Sequence, residues 1–151
     1  MAAVMVKASR QRSVVVLVNG DLARQELIER SLDSVENLWV EVVHSCADAA
    51  RLIPEATIVV VTLDTDGGCP VEMVRRLRAQ GVTTPIVFVG DSTEGHLHRA
   101  GGTALVPTRI PDETFVLLLS VTVLTTMAWL STAETLRRCQ SRRTPTTIST
   151  C

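Results

Sequence analysis

The chain has 151 residues, which is enough to bury one hydrophobic core and predicts a single domain with short tails. Its formal net charge of −1 gives no overall attraction to anionic lipid or to nucleic acid, and no direct contact with nucleic acid is predicted. The four cysteines lack the close spacing of a zinc site, so the sequence predicts reduced thiols, no metal and no cofactor in a cytoplasmic protein.

Four short aliphatic runs and a weaker fifth predict the strands, in the order 14–18, 39–43, 57–63, 85–89 and 104–106. The runs are continuous rather than alternating, which is typical of parallel strands buried on both faces. Helical stretches lie between them: Asp21 can cap a helix after the first run, Ser45 after the second, and Pro70 can open one after the third. This alternation predicts an α/β fold, a three-layer sandwich around a doubly wound, five-stranded parallel sheet.

The last predicted helix follows the fifth run and begins with Asp112 as its cap. Residues 114–133 are twenty positions without a charge, and at 1.5 Å per residue they span roughly 30 Å, about the thickness of the hydrocarbon core of a bilayer. The segment is therefore either a membrane anchor or a long helix of a soluble domain. In the second case its outer side needs a cover, which a second copy or a partner protein supplies.

Two faces can be assigned to this helix from its periodicity. The face predicted to lie on the sheet contains Phe115, Leu118, Leu119, Val123, Met127 and Leu130. The face predicted to meet a second copy or a partner contains Val116, Leu117, Val121, Leu124 and Ala128.

Five such repeats, with a Gly-containing loop after the aliphatic third strand and a proline leading the fourth, resemble the receiver domain of bacterial response regulators, which has a flavodoxin-like fold. The resemblance covers residues 13–126. It divides the chain into a flexible N-terminal tail over 1–12, the receiver-like domain over 13–126, an extension of the last helix over 127–139 and a disordered polar tail over 140–151. It also implies association through the surface that includes the last helix.

The resemblance further implies where phosphorylation chemistry would lie. In that family an acidic pair after the first strand and an aspartate ending the third hold magnesium, and that aspartate accepts the phosphoryl group. A threonine or serine after the fourth strand and a lysine after the fifth bind the phosphoryl oxygens. In this chain the acidic pair falls at 18–19 or 19–20, so Asn19 replaces a carboxylate and only Asp21 is nearby; the other three positions hold Thr62, Gly90 and Thr108.

These replacements predict a pseudo-receiver, because one amide and one hydroxyl are poor ligands for magnesium and no lysine is present to neutralise the phosphoryl charge. The degenerate pocket consists of Asn19, Asp21, Thr62, Asp64, Gly90 and Thr108. The predicted function is a regulatory protein-interaction or dimerisation module in signal transduction or transcription control, without enzymatic activity and independent of phosphorylation.

Two alternatives remain open. Asp64 lies two residues beyond Thr62 and would point to the same side if the strand continued, so a divergent receiver could take phosphate at Asp64 with metal held by Asp21 and Asp66. The chain could instead be a small protein anchored in a membrane by residues 114–133. The pocket could also bind a small ligand, since ligands commonly lie at the carboxyl ends of parallel strands.

Overall fold

The aliphatic runs form five strands of one parallel sheet with the order β2-β1-β3-β4-β5. The structure, a computed structural model, describes residues 12–18, 21–63, 68–91, 99 and 101–141. The strands are β1 Arg12–Leu17, β2 Leu38–Val43, β3 Ile58–Thr62, β4 Ile86–Val89 and β5 Ala104–Val106. The described helices are α1 Leu22–Asp33, α2 Cys46–Leu52, α3 Gly68–Ala79 and α4 Asp112–Ser141, with a 3₁₀ turn at Ile53–Glu55. The predicted α/β fold with a five-stranded parallel sheet is confirmed.

The central strands explain why the apolar runs are continuous. β3 lies between β1 and β4, with Val14 opposite Ile58 and Val59 opposite Ile86, and every residue of β3 is buried. β2 differs because it is an edge strand whose residues alternate between partly buried and exposed, and Trp39 is 57% exposed. The expectation that each run is buried on both faces is therefore wrong for β2, whose Trp39 and Glu41 stand at alternate positions on its exposed face.

Alternate residues of each central strand feed two separate cores. On one side of the sheet, Val14 and Val16 of β1 pack with α1 and with Phe115 and Leu119 of α4. On the other side, the neighbouring residues of the same strands pack with α2 and α3. The three-layer architecture follows directly from this division.

A group of serines joins α1 to α4. The hydroxyl of Ser31 donates to the carbonyl oxygen of Val116, and the hydroxyl of Ser120 lies 2.7 Å from that oxygen and 3.0 Å from the carbonyl oxygen of Ser31. Ser34 Oγ lies 3.0 Å from Ser120 Oγ. Small hydroxyl side chains allow close approach of the helices and satisfy the buried polar atoms with one another. These contacts fix one side of α4 against the domain.

The boundaries predicted for the tails and for the domain stay predictions. β1 begins at Arg12, and α4 runs without interruption from Asp112 through residue 126 to Ser141. Residues 1–11 and 142–151 lie outside the described part of the chain.

The prediction of reduced thiols is wrong for two cysteines, because Cys46 and Cys139 are each disulfide-bonded. Sequence spacing identifies metal and redox motifs, whereas a disulfide requires only that two Cβ atoms come close in space. That proximity is a property of the folded chain and could not be predicted from the positions of the cysteines.

Candidate functional site

Thr62, at the position predicted for the phosphoacceptor, ends β3 and is buried. Its Oγ1 donates a hydrogen bond to the carbonyl oxygen of Leu17 at 2.9 Å. β3 pairs with β1 over this region, so the hydroxyl joins the ends of two central strands. A β-branched residue suits this strand end, and the hydroxyl is directed into the protein rather than toward a ligand.

Asp21, the carboxylate nearest the position of the acidic pair, caps α1. Its Oδ1 accepts a hydrogen bond from the backbone N–H of Arg24 at 3.0 Å, and the residue is exposed. The sequence prediction of a capping role is confirmed. Asn19, Asp64 and Asp66 lie outside the described residues, so the proposed acidic cluster stays a prediction.

Gly90, at the position predicted for the hydroxyl-bearing residue, has a positive φ of 154°. A Cβ atom built at this position would lie 2.8 Å from Cβ of Leu63. Real Cβ atoms do not approach so closely, and the neighbouring atom belongs to the rigid start of a side chain. The backbone therefore holds this position closed to serine and threonine.

Thr108, at the position predicted for the lysine, is held by a carboxylate that the sequence pattern did not identify. Asp91 Oδ1 accepts from the backbone N–H of Thr108 at 3.2 Å, and Asp91 Oδ2 accepts from Thr108 Oγ1 at 2.8 Å. The same Oδ2 lies 3.2 Å from Nε of Arg109. No sequence motif links residues 91 and 108, because only the parallel pairing of β4 with β5 brings their loops together.

These contacts lower the pKa of the Asp91 carboxyl group below its ordinary value of 3.8. The hydrogen bond from the Thr108 hydroxyl is the main cause; the backbone N–H groups of Thr108 and Arg109 and the charge of Arg109 act in the same direction. Partial burial raises the pKa, but by less than these contacts together lower it. Asp91 is therefore an ionised acceptor whose two oxygens are both used within the protein.

We expect the contact between Asp91 and Thr108 to be lost in acid. A lowered folded-state pKa means that the stabilisation is complete above the ordinary value of 3.8 and disappears as the pH falls through the lowered pKa. An NMR titration should show the amide signal of Thr108 moving with an apparent pKa below that value, and the Asp91→Asn variant should show no such inflection. An apparent pKa at or above the ordinary value would contradict the geometry.

The described residues contain no group of three or more histidine, cysteine, aspartate or glutamate side chains that could hold a metal ion. Of the six residues predicted for the degenerate pocket, four are described. Thr62 bonds to the carbonyl oxygen of Leu17, and Asp21 accepts from the N–H of Arg24. A side chain at Gly90 would meet Leu63, and Thr108 bonds to Asp91. Within this part of the chain, the four positions predicted for the degenerate pocket take part in internal contacts; their correspondence to a phosphoryl site stays a prediction.

The outer side of α4 is the second candidate site. It carries exposed apolar residues over more than three helical turns, and these residues form the outer face: Leu117, Leu118, Val121, Leu124, Ala128 and Trp129. Leu117 is 65% and Trp129 71% exposed. The exposure predicted for Leu117, Val121, Leu124 and Ala128 is confirmed.

Two residues of α4 lie on the side opposite to the one predicted. Val116 is partly buried and packs against the core that contains α1, where its carbonyl oxygen also meets Ser31. Leu118 was predicted to lie on the sheet but is 37% exposed. Both differences arise because α4 packs on α1 as well as on the sheet. The buried side of the helix therefore includes residue 116 and leaves residue 118 at its edge.

α4 is long and apolar enough to cross a membrane by length and composition, with a mean hydropathy of 1.8 over its most apolar window. This is weak evidence, because a core helix of a soluble protein passes the same test. The side of α4 that contains Phe115, Leu119 and Val123 is fully buried against the rest of the domain.

Solved structures of receiver domains share the fold. The signal receiver domain of a putative Luxo repressor protein from Vibrio parahaemolyticus matches with a TM-score of 0.67 and 11% identity, over 83% of this chain and 97% of that one. The chemotaxis response regulator CheY4 of Vibrio cholerae matches with a TM-score of 0.61 and 15% identity, over 77% and 98%. The receiver domain of a modulated diguanylate cyclase from Desulfovibrio desulfuricans G20 matches with a TM-score of 0.57 and 21% identity, over 78% and 94%.

No protein-family model and no curated protein sequence matches the chain. The chain thus has the fold of response-regulator receiver domains, at sequence identities that show the fold alone.

Proposed function

We propose that this chain is a regulatory protein-interaction module with the receiver fold, which is not switched by phosphorylation and pairs with a second copy of itself through the outer face of α4. The exposed outer face is the observation that carries the proposal. Soluble monomers rarely expose a contiguous apolar surface of this extent, and such surfaces mark interaction sites.

The spacing of the outer face suits another helix. Leu117, Val121, Leu124 and Ala128 are separated by four, three and four residues, which is the spacing of the apolar seam in paired helices. Large residues alternate with smaller ones along this seam, so side chains of a facing helix have room to insert. A helix of 30 residues is roughly 45 Å long and offers several turns for this contact.

The charges at the two ends of α4 favour a second copy in the antiparallel orientation. Asp112 and Glu113 lie in the first turn, whereas Arg137 and Arg138 lie near the end. An antiparallel pair brings the acidic start of each helix toward the basic end of the other, and it also opposes the two helix dipoles favourably. A two-fold axis generates both contacts at once, as is usual for homodimers.

Independence from phosphorylation is supported by the internal contacts at the described pocket positions. The hydroxyl of Thr62 is bonded to Leu17, Gly90 leaves no room for a hydroxyl side chain, and Thr108 is bonded to Asp91. We infer that regulation comes from partner binding or from the abundance of the protein, and that the chain has no enzymatic activity. A role in signal transduction or transcription control belongs to the same proposal. A cytoplasmic location is supported by the receiver fold alone, because the disulfide bonds of Cys46 and Cys139 remove the argument from reduced thiols.

The membrane-anchor alternative is less well supported by the contacts of α4. Crossing a bilayer would remove Phe115, Leu119 and the carbonyl oxygen of Val116 from their partners in the domain. Those apolar contacts and the serine group would then be exposed to water on the domain side, at a large cost in free energy.

The experiment is sedimentation equilibrium at micromolar concentration. We expect a dimer mass for the wild-type chain, unchanged by magnesium and beryllofluoride, and a monomer mass for Leu124→Glu, because the substitution would bury charges at the helix pair. Leu22→Glu is the matched control: Leu22 is 72% exposed at the start of α1, and that variant should remain dimeric.

Each result has a distinct meaning for the proposal. A monomeric wild-type chain would remove the second copy as the partner. A mass that changes only with magnesium and beryllofluoride would instead support the alternative in which Asp64 accepts phosphate. A dimer mass that persists in Leu124→Glu would place the contact outside the outer face of α4.

A further inference from the structure

The short strand β5 precedes α4 in the chain and makes few backbone hydrogen bonds to the sheet. It has three residues, lies at the edge and pairs only with β4. The backbone ladder between these strands continues for one more bond, from the N–H of Gly90 to the carbonyl oxygen of Val106 at 3.0 Å. Beyond that bond, residues 107–111 follow β5 and lead to α4, which begins at Asp112.

We infer that Asp91 is an internal anionic latch that extends this pairing past the strand ends and fixes the loop of residues 107–111, from which α4 starts. The carboxylate takes the next position after Gly90 and is contacted from the loop after β5 by the N–H and the hydroxyl of Thr108 and by the guanidinium of Arg109. Charged acceptors form stronger hydrogen bonds than neutral ones, and a carboxylate can accept two donors on separate oxygens.

The loop transmits this constraint to α4 over a short distance. Ile110 is partly buried and packs against the core that contains Phe115. The N–H of Phe115 donates to the carbonyl oxygen of Pro111 at 2.9 Å, in the first turn of α4. A loop held at Thr108 therefore places Ile110 and Pro111 where the first turn of α4 needs them.

The Asp91 carboxylate takes the place that a bound anion would have. The N–H and hydroxyl of Thr108 and the guanidinium of Arg109 converge on it at the carboxyl ends of β4 and β5. The loop therefore has one arrangement without any bound phosphate. The existence of the latch does not depend on pairing of α4, whereas its consequence, a permanently presented outer face, rests on the proposed function.

Amide hydrogen exchange measured by NMR tests the latch. The substitutions are made in the Leu124→Glu variant and measured at low concentration, so that the exchange rates report on a single chain. If that variant still pairs, the substitutions are made in the wild-type chain instead, because the contacts of Asp91 are intramolecular. Asp91→Ala should accelerate exchange of the Thr108 amide by about fivefold or more, and it should also accelerate exchange at Phe115. Asp91→Asn keeps one acceptor but loses the charge, so its rates should be intermediate.

Asp48→Ala is the matched control, since Asp48 is an exposed aspartate whose ion pair with Arg51 at 2.8 Å lies within one helix. It should leave both amides unchanged. Unchanged exchange at Thr108 in Asp91→Ala would show that the carboxylate holds nothing in place. Faster exchange at Thr108 with no change at Phe115 would also overturn the inference, because the constraint would then end within the loop.

Discussion

Replacing Gly90 with alanine is expected to lower the free energy of unfolding by about 2 to 4 kcal/mol, as two effects combine. The positive φ of 154° is costly for a residue with a side chain, and the new Cβ atom would lie 2.8 Å from Cβ of Leu63. Leu63 follows β3 directly, so it cannot move without disturbing a central strand. Urea unfolding of the purified variant measures the loss.

Gly81→Ala is the matched control, because Gly81 also has a positive φ, of 88°, but a Cβ atom added there would have no other atom within 4 Å. It should lose only about 1 kcal/mol, the cost of the backbone conformation alone. Leu63→Ala should not rescue Gly90→Ala, since alanine retains the Cβ atom that is in the way, whereas Leu63→Gly should recover the steric part. Equal losses at Gly81 and Gly90 would show that the close approach is relieved at little cost.

The same geometry limits how far receiver chemistry could be restored. Serine or threonine at position 90 would supply the hydroxyl that the resemblance expects, but each carries the Cβ atom that meets Leu63. A carboxylate at position 62 would be placed where the hydroxyl of Thr62 now binds the carbonyl oxygen of Leu17. Packing at the strand ends therefore opposes a hydroxyl side chain at position 90 and supports the proposed independence from phosphorylation.

The sheet could be predicted from the sequence because buried parallel strands leave a direct signal in the chain. The runs that form β1, β3 and β4 are strongly apolar and carry no charge, since both faces of these strands are covered. The run that forms β2 differs, because Trp39 and the charged Glu41 stand at alternate positions and both are exposed. Glu41 thus indicates one face open to water, whereas the place of β2 at the edge of the sheet depends on its neighbours in space.

The candidate site also contains some residues that local sequence identifies and others that it does not. The cap at Asp21 could be identified from local sequence, because its partner Arg24 lies three residues away; the bond from Thr62 to Leu17 could not, because it joins two strands. Asp91 could not, because its partners Thr108 and Arg109 belong to another loop and no local pattern joins them. The burial of Val116 was missed because helical periodicity gives the faces of α4 but not the angle at which α1 meets it.

Leu119→Ala is expected to lower the free energy of unfolding by about 2 to 5 kcal/mol, the usual range for a leucine removed from a packed core. Leu119 is fully buried between α4, the sheet and α1, so its removal loses apolar contact and leaves a cavity. Urea unfolding in the Leu124→Glu background measures this value without a contribution from association.

Leu117→Ala provides a control of identical chemistry two residues away on the same helix. Leu117 is 65% exposed, so in the monomeric background its removal should change the free energy of unfolding by no more than about 0.5 kcal/mol. In the wild-type background the same substitution should weaken the dimer, because it removes a side chain of the outer face. Similar small losses of unfolding free energy for Leu119→Ala and Leu117→Ala would mean that α4 does not pack on the domain. The membrane-anchor alternative would then explain the composition of α4 better than a helix with one buried and one paired side.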